Sequence, residues 1–473
     1  MTDPVSKQQF SCDAGACAIL DRLREADHDA YLVGGCVRDL LMGCIPKDWD
    51  VATSATPDEV EELFPRTVAV GKAFGVMIVM TDRGDYEVAT FRGEGDYSDG
   101  RRPDTVRFTD AREDVLRRDF TINALLYDPD AGVVLDFVGG QRDLQDGVIR
   151  TVGAPEERFR EDHLRLLRAV RFAARTGFRI EADTMVAMRE LAPLVVSVSG
   201  ERVGDELTRM FSEGSAQRAF ELLDESGLLA QVLPEVWRMH GVEQPPQFHP
   251  EGDVWTHTHL MLGLLDDTVR QSEALGGDEI RTMGEGESAR LLFGAPAHRG
   301  TLAWAVVLHD VGKPATMTIS DRIRFHGHDQ EGTMLTERIL RRLRRSGREI
   351  DAVCDLVARH MKFSHITQMR EAKRRRFLME PSFPLHLELH RIDCLGSHGK
   401  LDHLAFSFDH WQEELRRPPA EKPLLTGRDL MGVGYAPGPE MGRVLEAVQD
   451  ARLEGEVSTA EEALAWAQSH WPV

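Results

Sequence analysis

Tyr31-Leu32-Val33-Gly34-Gly35-Cys36-Val37-Arg38-Asp39-Leu40-Leu41-Met42-Gly43, with Lys47-Asp48-Trp49-Asp50-Val51 shortly after it, is the stretch that decides the fold. Its apolar start reads as a short buried strand. The strand stops at a Gly pair, and a helix-like segment follows. A second strand is then expected to carry Asp48 and Asp50. Side chains at i and i+2 of a strand point the same way, so the two carboxylates would share one face beside the Gly-rich turn. Gly34 and Gly35 let backbone approach a phosphate, and the next helix N-terminus offers free N–H groups. Carboxylates that hold Mg²⁺ beside amides that hold a polyphosphate make a phosphoryl-transfer site in outline. A lone Asp-x-Asp is more often a pair of solvated loop acids.

Further along, Thr56-Pro57-Asp58-Glu59 opens a helix, with a Thr cap, Pro in the first turn and acids behind it. Gly75–Met80 and Tyr86–Arg92 read as two strands joined by Asp82-Arg83-Gly84-Asp85. Alternation puts Glu87 and Ala89 on one face, which makes Glu87 a candidate third carboxylate. An edge-strand acid in solvent is the equal alternative. The polar, Gly-rich run at 93–104 reads as a loop. Asp114–Leu125 then sets Arg117, Arg118, Asp119, Thr121 and Asn123 beside Phe120, Ile122 and Leu125, as a polar stripe on a buried helix. Phosphate and ribose recognition would explain that stripe, and so would a structural polar network. A long helix is expected from Pro155 to Phe172, with Asp162, Arg165 and Arg168 along one face.

The chain has 473 residues, enough for two to four domains. No apolar run reaches the length of a membrane span, and the N-terminus lacks a signal-peptide pattern. Six scattered cysteines without Cys-x-x-Cys point to reduced thiols, a cytoplasmic location and no zinc–cysteine site. A net charge of −22 repels nucleic acid overall, so RNA binding would need a local basic strip. Candidates are Arg101-Arg102, Arg117-Arg118, the series from Arg158 to Arg175, and Arg341–Arg345. For the last, a solvated helix face is the better reading.

The phrases Gly34-Gly35-x-x-Arg38-Asp39, Asp48-x-Asp50 and Arg117-Arg118-Asp119-Phe120-Thr121-Ile122-Asn123-Ala124-Leu125 together resemble the nucleotidyltransferase superfamily that includes DNA polymerase β. More narrowly, they resemble bacterial class II tRNA nucleotidyltransferases (CCA-adding enzymes) and poly(A) polymerases. The resemblance implies an α/β head of mixed sheet and helices over 1–150, a helical nucleotide-recognition neck over 151–245, and helical parts beyond. It implies Mg²⁺ at Asp48 and Asp50, while Glu87 stays a candidate from strand alternation. Nucleotide contacts would come from Gly34, Gly35, Arg38, Arg118, Asp119, Asn123 and Arg168, and base reading from Asp162 and Arg165. That last role has a physical basis. Cytosine and adenine each show an amino donor beside a ring-nitrogen acceptor, which a carboxylate and a guanidinium complement. Uracil and guanine would meet like against like. An ordinary helix ion pair is the plain alternative. The segment Val198–Leu207 would support the pocket.

From Phe248 the chain becomes His-rich. His257, His309-Asp310 in Leu308-His309-Asp310-Val311-Gly312-Lys313, His328, His360 and Asp393 gather imidazole and carboxylate groups from separate predicted helices, which suits a divalent-metal site. The pattern His257…His309-Asp310…Asp393 resembles the HD metal-dependent phosphohydrolase domain, here expected over 246–400, with His328 and His360 as extra ligands. The polar stretch from Asp266 to Arg299 reads as an inserted loop. In the helical tail over 401–473, Gly turns at Gly427 and Gly438 open helices and could grip RNA backbone, with ordinary helix punctuation as the equal alternative; the resemblance makes this the end that binds the tRNA body.

The resulting expectation is template-independent addition of C and A from CTP and ATP to the tRNA 3′ end, with pyrophosphate release. Poly(A) polymerase or CC-only or A-only addition would share most of the head motifs. From other classes, the chain could act mainly as an HD phosphohydrolase or 2′,3′-cyclic phosphodiesterase, or as a non-catalytic RNA-binding protein.

Overall fold

The computed structural model describes residues 5–7, 9–94, 106–274, 296–416 and 423–472. The Arg101-Arg102 pair and most of the 93–104 loop lie outside them. The first ten strands of the chain are β1 (Val5–Lys7), β2 (Ala30–Val33), β3 (Val51–Thr53), β4 (Thr67–Gly71), β5 (Val76–Thr81), β6 (Gly84–Thr90), β7 (Arg92–Glu94), β8 (Val106–Phe108), β9 (Leu125–Asp128) and β10 (Val133–Asp136). Eight of them form one sheet in the order β1-β10-β9-β2-β3-β6-β5-β4, while β7 and β8 pair separately. The sheet is mixed: β3 runs parallel to β6, and the other pairings are antiparallel.

Helices α1 (Ala14–Glu25), α2 (Gly35–Leu41), α3 (Pro57–Leu63), α4 (Ala111–Leu116) and α5 (Gly140–Asp146) accompany the sheet. Both faces of its centre are covered. Leu32, Val51, Met77 and Val88 join a core with Ile19, Leu20 and Leu23 of α1. Val33, Ala52, Leu126 and Phe91 face the other way onto Val115 of α4. The predicted cap of α3 is present as a reciprocal Thr56–Glu59 capping box.

The neck follows as α6 (Pro155–Glu161), α7 (Leu164–Thr176), α8 (Ala182–Leu191), α9 (Gly200–Ser212), α10 (Ala216–Glu225), α11 (Leu229–Val232) and α12 (Pro234–Trp237). Met1–Trp237 with Leu340–Arg345 forms one compact unit, and Arg238–Ile339 with Ser346–Val473 forms a second. The described helices of the second are α13 (Val254–Ala274), α14 (Pro296–Leu308), α15 (Lys313–Thr316), α16 (His328–Arg342), α17 (Gly347–Arg359), α18 (Glu371–Leu378), α19 (Phe383–Leu395), α20 (Asp402–Arg416), α21 (Gly427–Gly432), α22 (Pro439–Leu453) and α23 (Ala460–His470). The last turn of α16 is counted with the first unit. Among the described residues no helix is long and apolar enough to cross a membrane.

Four expectations need correction. Asp48 and Asp50 are not on a strand: β3 begins at Val51, and Asp48 sits in a bend. Arg117–Leu125 is not a helix. α4 ends at Leu116, Asp119 accepts the Phe120 N–H, and Val152 donates to the Asp119 carbonyl. Phe120 then bridges Thr151, a short 3₁₀ turn spans Thr121–Asn123, and β9 starts. The 266–299 segment is not all loop, because 266–274 finishes α13 and 296–299 starts α14; residues 275–295 lie outside the described ones. Cys12 and Cys17 are not reduced thiols but a disulfide, spanning the first turn of α1.

Candidate functional site

Gly34 has φ 76° and ψ −126°, a conformation that L side chains rarely adopt, and its N–H donates to the Leu125 carbonyl. This pins the end of β2 to β9 and launches α2 from Gly35. On the other side of β2, Val33 N–H donates to the Asp50 carbonyl at 3.0 Å. Asp50 is thereby held beside the Gly pair although it lies just outside β3.

The parallel register pairs Val51 with Val88. One residue back on each chain stand Asp50 and Glu87, so sheet pairing brings the candidate third carboxylate to Asp50. Burial, then the Glu87 carboxylate, then that of Asp48 push the Asp50 carboxyl up to about 6, against the pull of the Arg118 guanidinium. Clustered carboxylates that resist ionisation together fit a site for a divalent cation.

Two clefts meet at Asp50. One, of about 360 Å³, is lined by Gly35, Arg38, Asp48 and Asp50, and also by Lys47, Arg171, Arg175 and Arg209. The other, of about 200 Å³, is lined by Asp50, Glu87, Phe74, Arg92, Arg117 and Arg118. Lys47 and Arg209 were missed by the sequence reading. Lys47 adjoins Asp48 and had a local signal; Arg209 comes from α9 and had none.

Several predicted nucleotide contacts are built into a buried network. Arg38 donates to Asn123 Oδ1 at 2.7 Å and to Asp39, and its guanidinium packs over Phe172. Asp114 takes both Arg117 and Arg118. Asp119 accepts from Arg168 at 2.6 Å and from Asn123 at 3.4 Å. Burial works against its ionisation, yet Arg168 holds the Asp119 carboxyl below its ordinary range. These groups brace one another, as the structural alternative expects, and Arg38 and Arg118 also line the clefts.

The expected 155–172 helix is broken. Asp162 is extended (φ −141°, ψ 107°), and its side chain accepts the Leu164 N–H to start α7. Asp162, Arg165 and Arg168 therefore do not share one helical face. Arg165 lies on α7, pairs with Glu161 and donates to the Arg117 carbonyl at 3.1 Å. Asp162 is held by Arg202 of α9 at 2.8 Å. Most of the basic series is paired, Arg158 with Glu161, Arg171 with Glu206, and Arg175 with Asp39 at 3.5 Å, while Arg171 and Arg175 still line the cleft at Asp48. In the Arg341–Arg345 run, Arg342 pairs with Glu235 and Arg345 with Asp205.

The second unit has its own cluster. His257 comes from α13, His309 and Asp310 from the turn after α14, His328 from the first turn of α16, His360 from the end of α17, and Asp393 from α19. His257, His309 and Asp310 offer ligand atoms within 4.8 Å of one another, and so do Asp310, His328 and His360. Asp310 is common to both sets. His257 Nε2 stands 3.2 Å from Asp393, and His309 Nε2 is 3.2 Å from Asp310. Both nitrogens are buried and complete no hydrogen bond among the described residues. Burial opposes charge on Asp310, but His309 and Lys313 hold it well below the carboxylate range. Burial, with His309 nearby, pushes His360 down to about 4. Buried imidazoles facing carboxylates fit a transition-metal ion; without one, burial opposes charge on His257, but Asp393 and Glu251 push it up to about 9. Lys313, which donates to Gln244 at 2.7 Å and meets Asp310 at 2.6 Å, was not singled out from the sequence.

Comparison with known proteins matches three family descriptions: the poly A polymerase head domain over 30–150, the RNA and SrmB-binding site of polymerase A over 177–239, and tRNA nucleotidyltransferase domain 2 over 333–467. The CCA-adding enzyme of Bacillus velezensis is 48% identical over 220 residues, 46% of this chain and 55% of that protein. Poly(A) polymerase I of Salmonella typhi is 42% identical over 245 residues, 50% of this chain and 52% of that protein. The chain thus spans about half the length of the curated relatives it matches. The structure of the Bacillus stearothermophilus CCA-adding enzyme in complex with CTP superposes with a TM-score of 0.69 at 25% identity, covering 96% of each chain.

Proposed function

We propose that this chain, a member of the tRNA nucleotidyltransferase and poly(A) polymerase family, adds C and A from CTP and ATP to the 3′ end of tRNA and releases pyrophosphate. One observation carries the reading. Asp48 and Asp50 line a cleft with the Gly35 turn and with Arg38, Lys47, Arg171, Arg175 and Arg209, while Glu87 meets Asp50 from the neighbouring strand. Asp48, Asp50 and Glu87 would hold Mg²⁺, which when bound neutralises triphosphate charge and activates the attacking 3′-hydroxyl. The cations of the cleft draw in the triphosphate and orient its leaving end. Asp162 and Arg165 read the base edge, and Arg202 holds the Asp162 carboxylate in place for a cytosine or adenine amino group. Arg168, fixed by Asp119, positions the nucleotide from the α7 side.

The test is labelled-nucleotide incorporation into tRNA lacking its terminal CCA, with CTP and ATP supplied separately and together. C alone should enter from CTP, and A only after it. Extension of any RNA by ATP alone would assign the chain to poly(A) synthesis instead.

A second reading is favoured by the four histidines and two aspartates of the second unit. That cluster would bind a divalent transition metal and hydrolyse a phosphate ester as HD domains do. His309→Ala should abolish that activity and spare nucleotide addition, with Asp48→Ala doing the reverse. Both activities belong in the cytoplasm, where tRNA is matured.

A further inference from the structure

Beside the histidine–aspartate cluster stands a carboxylate with no role so far. Glu251 lies in the loop that precedes α13. Its Oε1 meets Nδ1 of His257 at 2.8 Å and Nδ1 of His249 at 2.9 Å. His257 Nδ1 also faces the Gly396 carbonyl at 3.3 Å. Two acceptors on one ring nitrogen keep a proton on Nδ1, so a cation that takes a lone pair from this ring takes it at Nε2. That nitrogen is buried and stands 3.2 Å from Asp393. A histidine whose far nitrogen donates to a carboxylate is fixed in orientation and is a stronger donor to a metal.

We propose that Glu251 is the positioning residue of this cluster, holding His257 so that its Nε2 faces a divalent cation shared with His309, Asp310 and Asp393. The inference rests on the reading that the cluster binds such a cation. The rival arrangement makes Glu251 a ligand itself, since His249, Glu251 and His257 also gather donor atoms within 4.8 Å, and Glu251 Oε2 is buried without a hydrogen bond among the described residues. The side that His257 turns to the cluster decides against it. Nε2 is the nitrogen 3.2 Å from Asp393, so a cation shared with that carboxylate sits at Nε2 and leaves Nδ1 to Glu251 and the Gly396 carbonyl.

The experiment titrates Co²⁺ into the chelator-stripped full chain, in an Asp50→Ala background that removes the head carboxylate, and reads the d–d absorption bands. Glu251→Ala should weaken binding about 10–100-fold and shift the bands. Glu251→Gln should fall between it and the parent, because the amide oxygen still accepts from Nδ1 but lacks charge. His257→Ala should lose the site. If both Glu251 variants keep the parent affinity and spectrum, the positioning role is overturned. If Glu251→Gln loses binding as completely as His257→Ala, Glu251 is a ligand and the role is again overturned. If the parent chain binds no Co²⁺, the metal reading itself fails. Circular dichroism checks folding, and Glu251→Gln carries the test if the alanine variant does not fold.

Discussion

Replacing Asp50 by Asn should stop nucleotide addition and at the same time stabilise the metal-free chain. Burial, Glu87 and Asp48 raise the folded-state Asp50 carboxyl from an ordinary 3.8 to about 6. Between those values the folded chain holds a proton that the unfolded chain has released, so stability falls as pH rises through that window. Above it, the ionised group costs the fold about two pKa units, or about 3 kcal/mol. Asn has nearly the same shape and carries no charge, so it removes that cost. For a unit of this size 1 kcal/mol moves the melting temperature by about 2–4 °C, giving a gain of about 6–12 °C at pH 7.5. The gain should shrink toward zero near pH 4, where neither protein carries the charge when folded. The assay is calorimetry in EDTA at both pH values, with Mg²⁺ added back at pH 7.5. Mg²⁺ should close the gap by stabilising the parent alone. An Asn–Asp difference that does not change between pH 4 and 7.5 would refute the claim that crowded carboxylates make this site.

Other consequences are open to direct measurement. Asp162→Ala should lower kcat/KM for CTP and ATP about 10–100-fold through the loss of a charge-assisted hydrogen bond, and should erase the preference over UTP; steady-state kinetics with four nucleotides checks it. Gly34→Ala should cost about 1–3 kcal/mol, because its backbone would hold a side chain in a conformation L residues rarely adopt; urea unfolding reads this. Gly200→Ala should also destabilise the first unit, since a Cβ there would sit 2.1 Å from the Arg342 carbonyl; thermal unfolding compares it with Gly442→Ala, where a Cβ meets nothing within 4 Å.

Local signals were readable in the sequence where they depended on neighbours along the chain. The Thr56 cap, the 76–90 hairpin and the strand-to-Gly turn at 31–35 all stand as expected. Sequence alone leaves Glu87 open between the site and solvent because its place beside Asp50 depends on a parallel pairing between distant strands. The two broken helices failed for one reason. Helical periodicity continues through 117–125 and 155–172, but Asp119 and Asp162 each use a side-chain oxygen to cap a nearby N–H and turn the chain aside. Composition also misled on cysteine. The Cys12–Cys17 spacing carries no motif, and only the turn into α1 brings the two together. The basic series had the right residues but not their partners, since Glu161, Glu206 and Asp39 reach them from elsewhere in the fold or from the next turn.

The most direct test is the sequence of nucleotides that the chain adds to a tRNA ending before its CCA, read by sequencing the products. C, C and A should be added in that order, followed by arrest, and the Asp48→Ala chain should add nothing. A run of adenosines, or addition that survives Asp48→Ala, would contradict this.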